Sequence, residues 1–297
     1  MKLDRTKNAI RNFFWGIINR VITLLLPFIA RTIIINSLGA EYLGLNNLFT
    51  SILNVLSLAE LGVGTALVYA MYKPIAEENQ DEICSLLKLY RSCYRVIGAI
   101  ILAIGILIIP FLPKLIHGTY PNDINLYILY VIYLSNTVLS YFLFAYKQSL
   151  LQAHQRTDVS SNVGSIVNIA LNVIQIVVLI RLNNYYLYVI LKPIFTVINN
   201  ITIAIVTKRM YPNYSCRGNI NREVAKTIAH KVKALVGHKI GTTVITSADN
   251  LVISAFLGLT AVAIYGNYYY IMYFIIGVMG IAYSGVLAGI GNSLVTE

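Results

Sequence analysis

The sequence predicts an all-α integral membrane protein of about eight transmembrane helices, one six-helix bundle followed by the first two helices of a second, parallel-repeat bundle. Three observations predict it. Charged residues make up 12% of the 297 and apolar ones 57%, whereas a soluble domain carries roughly 25% charged residues. The apolar residues fall in blocks, each near the ~20 residues that cross a hydrocarbon core about 30 Å thick. Basic residues sit almost wholly on alternate connections between those blocks.

The N-terminal tail carries Lys2, Arg5, Lys7 and Arg11. It leads into an apolar stretch longer than the roughly 7–15 residues of a secretory signal, without a clear small-residue cleavage site. That stretch reads as a retained first span, 13–37. Further spans are expected at 42–70, 92–113, 125–147, 160–181, 184–206, 237–257 and 261–286. The odd-numbered connections (38–41, 114–124, 182–184 and 258–260) are too short to hold a folded domain. The longest connection, 207–236, is basic and is predicted to be partly helical from Arg222 to Lys233.

Of the 23 lysines and arginines, eighteen lie in or beside the tail and the even-numbered connections, and only Lys114 and Arg181 lie in or beside the odd ones. Positive charge near span ends stays cytoplasmic, so the N-terminus is expected inside. The net charge of +11 is then a topology signal with attraction to anionic membrane lipids, and it calls for no nucleic-acid partner. Cys84, Cys93 and Cys216 are odd in number, fall on the inner side and match no metal spacing; they read as free thiols. No cofactor is expected.

An internal repeat divides the chain. At an offset of 219 residues, "RTIIINSLGAEYLGLNN" (31–47) lies over "NLVISAFLGLTAVAIYG" (250–266), with Ile34/Ile253, Leu38/Leu257 and Gly39/Gly258 identical. Because six spans separate the copies, the repeats are parallel, related by an axis along the membrane normal. The division expected is a six-helix bundle with its basic loop over 1–234 and the opening helix pair of a second bundle over 235–297. A second copy as long as the first would reach to about residue 440, so the chain reads as C-terminally truncated.

Five charges fall within spans: Arg20, Arg31, Lys192, Glu60 and Asp249. An intramembrane charge costs at least roughly 2.5–3.5 kcal/mol on insertion scales and should face protein or water. At 1.5 Å per residue, Arg20 and Glu60 both lie roughly 27 Å from the outer end, where they could pair. Arg31, Lys192 and Asp249 lie about 10–12 Å below the outer face and form a candidate second cluster. Polar stripes at helical spacing accompany them: Thr242, Thr246 and Asp249; Asn168, Asn172 and Gln175; Asn47, Ser51 and Asn54. Such stripes line a hydrated cavity or serve helix packing. Tyr265, Tyr269 and Tyr273 share one face of the last span, suited to sugar stacking, to packing or to an interfacial belt.

"SLAELGVGTALVYAMYKPIAEEN" (57–79) resembles the second-helix signature of bacterial polysaccharide and O-antigen flippases. "TSADNLVISAFLGLTAVAIYGNYYYI" (246–271) resembles their seventh-helix signature, and "NFFWGIINRVITLLLPFIARTIII" (12–35) also fits. The family belongs to the multidrug/oligosaccharidyl-lipid/polysaccharide exporter superfamily. The resemblance implies two bundles facing a central cavity, with helices one, two, seven and eight at its lateral openings. It implies a polyprenyl-diphosphate-linked oligosaccharide as substrate, flipped across the bacterial cytoplasmic membrane. Polysaccharide polymerases and glycosyltransferases are the implied partners. Arg20, Arg31 and Lys192 are then the diphosphate ligands; Glu60, Asp249, Asn250, Asn47 and Thr246 are the polar or coupling residues of the cavity. A cation-coupled multidrug exporter using Asp249 or Glu60 is the second reading. A membrane glycan polymerase is a third, but the outer loops are short and His117, His154, His230 and His238 are scattered, which argues against catalysis.

Overall fold

The computed structural model describes residues 25–60, 62–220 and 222–296. All regular structure among them is helical: α1 (Leu25–Ser37), α2 (Ala40–Leu56), α3 (Val63–Ala76), α4 (Gln80–Ile108), α5 (Leu126–Phe142), α6 (Ala145–Ala153), α7 (Thr157–Leu182), α8 (Tyr185–Met210), α9 (Arg222–Leu257) and α10 (Leu259–Thr296). Among the described residues α4 with its 3-10 extension, α7, α8 and α10 are long and apolar enough to cross a membrane. The pair α5 and α6 is a fifth if it counts as one bent span, and α1 and Ser247–Leu257 are shorter apolar helices.

Two expected spans are broken. The second splits into α2, a 3-10 turn over Ser57–Glu60, and α3. Gly62 makes the break with φ of +79°, a left-handed conformation that glycine takes without a Cβ clash. The fourth splits into α5 and α6, bent by 51°, with Phe144 at φ +56°. Two others extend further than their apolar runs. α4 begins at Gln80, where the Asn79 side chain accepts from the Glu82 N–H and donates to the Glu82 carboxylate at 3.1 Å, a reciprocal cap that satisfies the first turn. The basic segment 222–233 and the seventh span fuse into the single helix α9.

The connections gather at two ends. At one, His117 N–H donates to the Ser254 carbonyl at 2.9 Å, Asn125 N–H to Tyr186 Oη at 2.6 Å, and Tyr42 Oη to Asp123. At the other, Lys88 donates to the Gly218 carbonyl and to Asn219, both at 2.9 Å, and Arg217 pairs with Asp81 at 3.6 Å. The first set lies at the odd-numbered connections and the second at the even-numbered ones.

α2 is the hinge piece of the structure, because it faces both ways. One face buries Leu45, Leu48, Phe49 and Ile52, with Phe49 edge-on to Tyr130 and Tyr133 of α5. The other packs on α9 and α10. There, a Cβ on Gly44 would come within 2.2 Å of the Leu259 carbonyl oxygen, and one on Gly266 within 2.2 Å of Asn47 Nδ2. Only glycine permits such backbone approach, so α2 and α10 close against each other at the end bearing the odd connections.

Candidate functional site

Consecutive residues on a helix point about 100° apart, and this separates Asn46 from Asn47 on α2. Asn47 turns to α10. Its Oδ1 accepts from Arg31 Nη1 at 3.4 Å and its Nδ2 donates to the Val262 carbonyl at 3.4 Å. Arg31 also donates through Nε to Asn267 Oδ1 at 3.1 Å, and its guanidinium carbon lies 5.1 Å from the centre of the Tyr270 ring. Its remaining terminal nitrogen, Nη2, is buried and makes no hydrogen bond.

Asn46 turns instead to α5 and α8. Its Oδ1 accepts from Lys192 Nζ at 2.9 Å and from Tyr133 Oη at 2.7 Å. The Lys192 ammonium lies 5.1 Å from the Tyr133 ring and 5.9 Å from the Tyr188 ring, and its partner Asn46 is next in the chain to the Asn47 that holds Arg31. Arg31 and Lys192, expected at similar depth, therefore share one region.

Neither cation has a carboxylate within 4.0 Å among the described residues, where the ion pairs are Lys73–Glu77, Arg156–Asp158 and Arg217–Asp81. Amide oxygens and aromatic faces solvate a cation without cancelling its charge. The arrangement holds positive charge in a partly buried place at a real insertion cost, with the Nη2 amino group of Arg31 unpaired.

An apolar crevice of about 170 Å³ adjoins it. Leu25 and Phe28 of α1 and Tyr270, Ile271 and Phe274 of α10 line it. Tyr270, the ring beneath Arg31, is thus also the crevice wall.

The other expected residues sit elsewhere. Asp249 does not join the two cations in an ion pair; it is exposed and accepts from Tyr265 Oη. Asn250 donates to Ser51 Oγ at 2.9 Å, and its Oδ1 is buried without a partner. Tyr265 stacks on Tyr269 at 6.2 Å, and Tyr269 and Tyr273 are exposed, one face round from Asn267 and Tyr270. Arg20 and the Thr246 side chain lie outside the described residues, so the expected Arg20–Glu60 pair falls outside as well.

Glu60, turned out of the helical register by the 3-10 turn, accepts from Tyr94 Oη and, at 3.3 Å, from Tyr141 Oη. It faces a cavity of about 380 Å³. A second cavity of about 430 Å³ reaches Lys192, and the two share Ser140 and Asn200. Asn199 Oδ1 and Asn200 Nδ2 are buried there without partners, polar atoms that call for water. Of the α7 stripe, Asn168 lines this second cavity. Asn172 bonds back to Asn168 at 2.6 Å, and Gln175 ties α7 to the Tyr188 carbonyl at 2.8 Å, which is packing.

Sequence reasoning missed Asn46, Tyr133, Asn267 and Tyr270 as ligands of the cations. The doubled asparagine at 46–47 was the available signal, since one residue of such a pair must leave the stripe.

The fold and the sequence have counterparts among known proteins. Among solved structures the chain is similar to one titled as the inward-facing conformation of a multidrug resistance MATE family transporter of the MOP superfamily, at 15% identity and a TM-score of 0.58. The likeness covers 92% of this chain and 63% of that one, so this chain spans under two-thirds of the transporter, and what the two share is the fold. No curated protein matches the sequence. The family model for "Polysaccharide biosynthesis protein" matches residues 9–288, and the chain belongs to that family.

Proposed function

We propose that this chain forms part of a transporter that flips polyprenyl-diphosphate-linked oligosaccharide across the bacterial cytoplasmic membrane for surface polysaccharide synthesis. One observation carries the reading: Arg31, with no carboxylate partner among the described residues and its Nη2 amino group unpaired, lies over Tyr270, a wall of the apolar crevice between α1 and α10. A diphosphate cannot cross hydrocarbon unaided, because a buried unpaired charge is too costly. Here the head would meet the guanidinium, suited to bidentate phosphate binding, while the prenyl chain stays in the crevice and the lipid beyond it. Lys192 adds long-range attraction from the neighbouring face of α2. Contact of α2 with α10 closes the outer end, and rocking of the two bundles would open it. Glycosyltransferases and a polymerase would supply and consume the substrate.

Glu60, a carboxylate facing a polar cavity and accepting from two tyrosine hydroxyls, is the group a cation-coupled cycle would use. A multidrug exporter would use the same group but would need a site for a cation rather than an anion. Binding separates the two. The purified chain in detergent is expected to bind a short prenyl diphosphate and not a cationic dye, and Arg31→Gln is expected to weaken prenyl diphosphate binding about 10- to 100-fold, the loss of one charged hydrogen-bonding group. Dye binding that Arg31→Gln leaves unchanged or strengthens, with no prenyl diphosphate bound, would overturn the reading.

A further inference from the structure

A second basic site lies at the opposite end of the six-helix bundle and takes no part in the arrangement around Arg31. Arg91 of α4, Lys147 of α6 and Lys208 of α8 line one cavity of about 490 Å³. Arg91 and Lys147 lie against the ring of Tyr146, at 5.9 and 5.7 Å. None of the three has a carboxylate within 4.0 Å among the described residues. Three cations from three helices have thus been brought together with no anion of the chain between them, at a cost in mutual repulsion.

The rest of the wall is apolar. Ile201 and Ile205 line the cavity from α8 and are 41% and 49% exposed. Ile205 and Ile201 precede Lys208 on the helix by three and seven residues, about 4.5 and 10.5 Å along the axis. Phe144, in its left-handed conformation at the bend between α5 and α6, lines the same cavity. A non-glycine residue at positive φ is costly enough to need a reason.

We propose that this cavity binds one acidic glycerophospholipid of the cytoplasmic leaflet, its phosphate among Arg91, Lys147 and Lys208 and an acyl chain along Ile205 and Ile201. The charge count places this end at the cytoplasmic face, where anionic lipids are concentrated. A soluble phosphate would satisfy the cations but leave the isoleucines bare. A neutral lipid would cover the isoleucines but leave the cations unmet. The bound lipid ties α4, α6 and α8 together below the break in the fourth span.

The test uses the purified full chain in neutral detergent, with thermal unfolding followed on addition of phosphatidylglycerol, phosphatidylcholine or inorganic phosphate. A ligand at a hundredfold excess over its Kd should raise the midpoint by about 5 °C. That rise is expected with phosphatidylglycerol alone. Arg91→Gln with Lys208→Gln should lose most of it, whereas Arg209→Gln, which removes the next charge along α8 but outside the cavity, should keep it. Ala204→Phe retains all three cations while filling the apolar side, and should lose it too. If the double variant does not fold, each single variant should show about half the rise. An equal rise with inorganic phosphate, equal loss in Arg209→Gln, or an unchanged rise in Ala204→Phe would each overturn the proposal.

Discussion

Lys192 holds its ammonium against Asn46 Oδ1 and two tyrosine rings, a set of neutral partners that leaves its charge uncancelled. A charge so placed is costly, and replacing it by an apolar side chain of similar shape is often stabilising. Asn46 Oδ1 would not be orphaned, since Tyr133 Oη still donates to it at 2.7 Å. Lys192→Met is therefore expected to raise the unfolding midpoint of the purified chain while weakening prenyl diphosphate binding severalfold, the opposed signs marking a charge kept for binding. His154 offers a pH test. Its ring stacks at 4.3 Å on Tyr211 and 5.6 Å on Tyr214, and burial holds its pKa below the ordinary 6.5. The neutral form is the one the fold prefers. Its contribution is complete above the ordinary value and is lost as pH falls through the lower, folded one. The midpoint should thus drop between about pH 7 and pH 5 by more in the native chain than in His154→Phe. At this scale the sequence was informative about charges and uninformative about their partners. Arg31 and Lys192 stand out in an apolar run, but Asn267 and Tyr270 do not, because what makes them ligands is the approach of α10 to α1 and α2.

That approach belongs to the elements. Gly44 and Gly266 let α2 and α10 touch, with space for no Cβ at either position. Gly44→Leu should hold the two helices apart at this end. Ser51, 3% exposed beneath the contact, would report it as a cysteine in a background lacking Cys84, Cys93 and Cys216. Labelling of Ser51→Cys by a water-soluble thiol reagent is expected to speed up at least about tenfold when Gly44 becomes Leu, since reaction tracks the population of the open form. Gly164→Ala is the control, because its Cβ would meet only Asn199 Oδ1 at 4.0 Å; no change with Gly44→Leu would mean the contact does not seal. The elements also show where hydropathy fails. It sees composition, so it read the second and fourth spans as continuous. Gly62 was a visible warning in "AELGVG". Phe144 was not, as nothing local favours a phenylalanine at φ +56°.

Across the whole molecule, the 219-residue offset relates contacts as well as residues. Arg31 lies over Tyr270, and the offset carries that pair onto Asn250 and Ser51, which are hydrogen-bonded at 2.9 Å. Asn47 and its equivalent Gly266 meet each other, as residues beside a two-fold axis must. Gly39 and Gly258, also equivalent, both turn their chains with positive φ. We infer from these pairs that α1 with α2 and α9 with α10 are parallel copies, whose axis along the membrane normal would require corresponding connections to share a face. The weak sequence identity hid most of this because apolar helices resemble one another by composition, whereas paired contacts do not arise that way. Orientation then follows from charge: the end with Lys88, Arg217 and Lys208 should face the cytoplasm. Single cysteines at Asn183, in the connection between α7 and α8, and at Ile220, in the basic loop, test it in whole cells of the cysteine-free background. Asn183 is exposed and should react with a membrane-impermeant maleimide from outside, while Ile220 should react only after the membrane is permeabilised. The reverse pattern would turn the molecule over. It would place the three-cation cavity on the outer face and Arg31 in the inner half, where a diphosphate head would meet it on entry instead of before release.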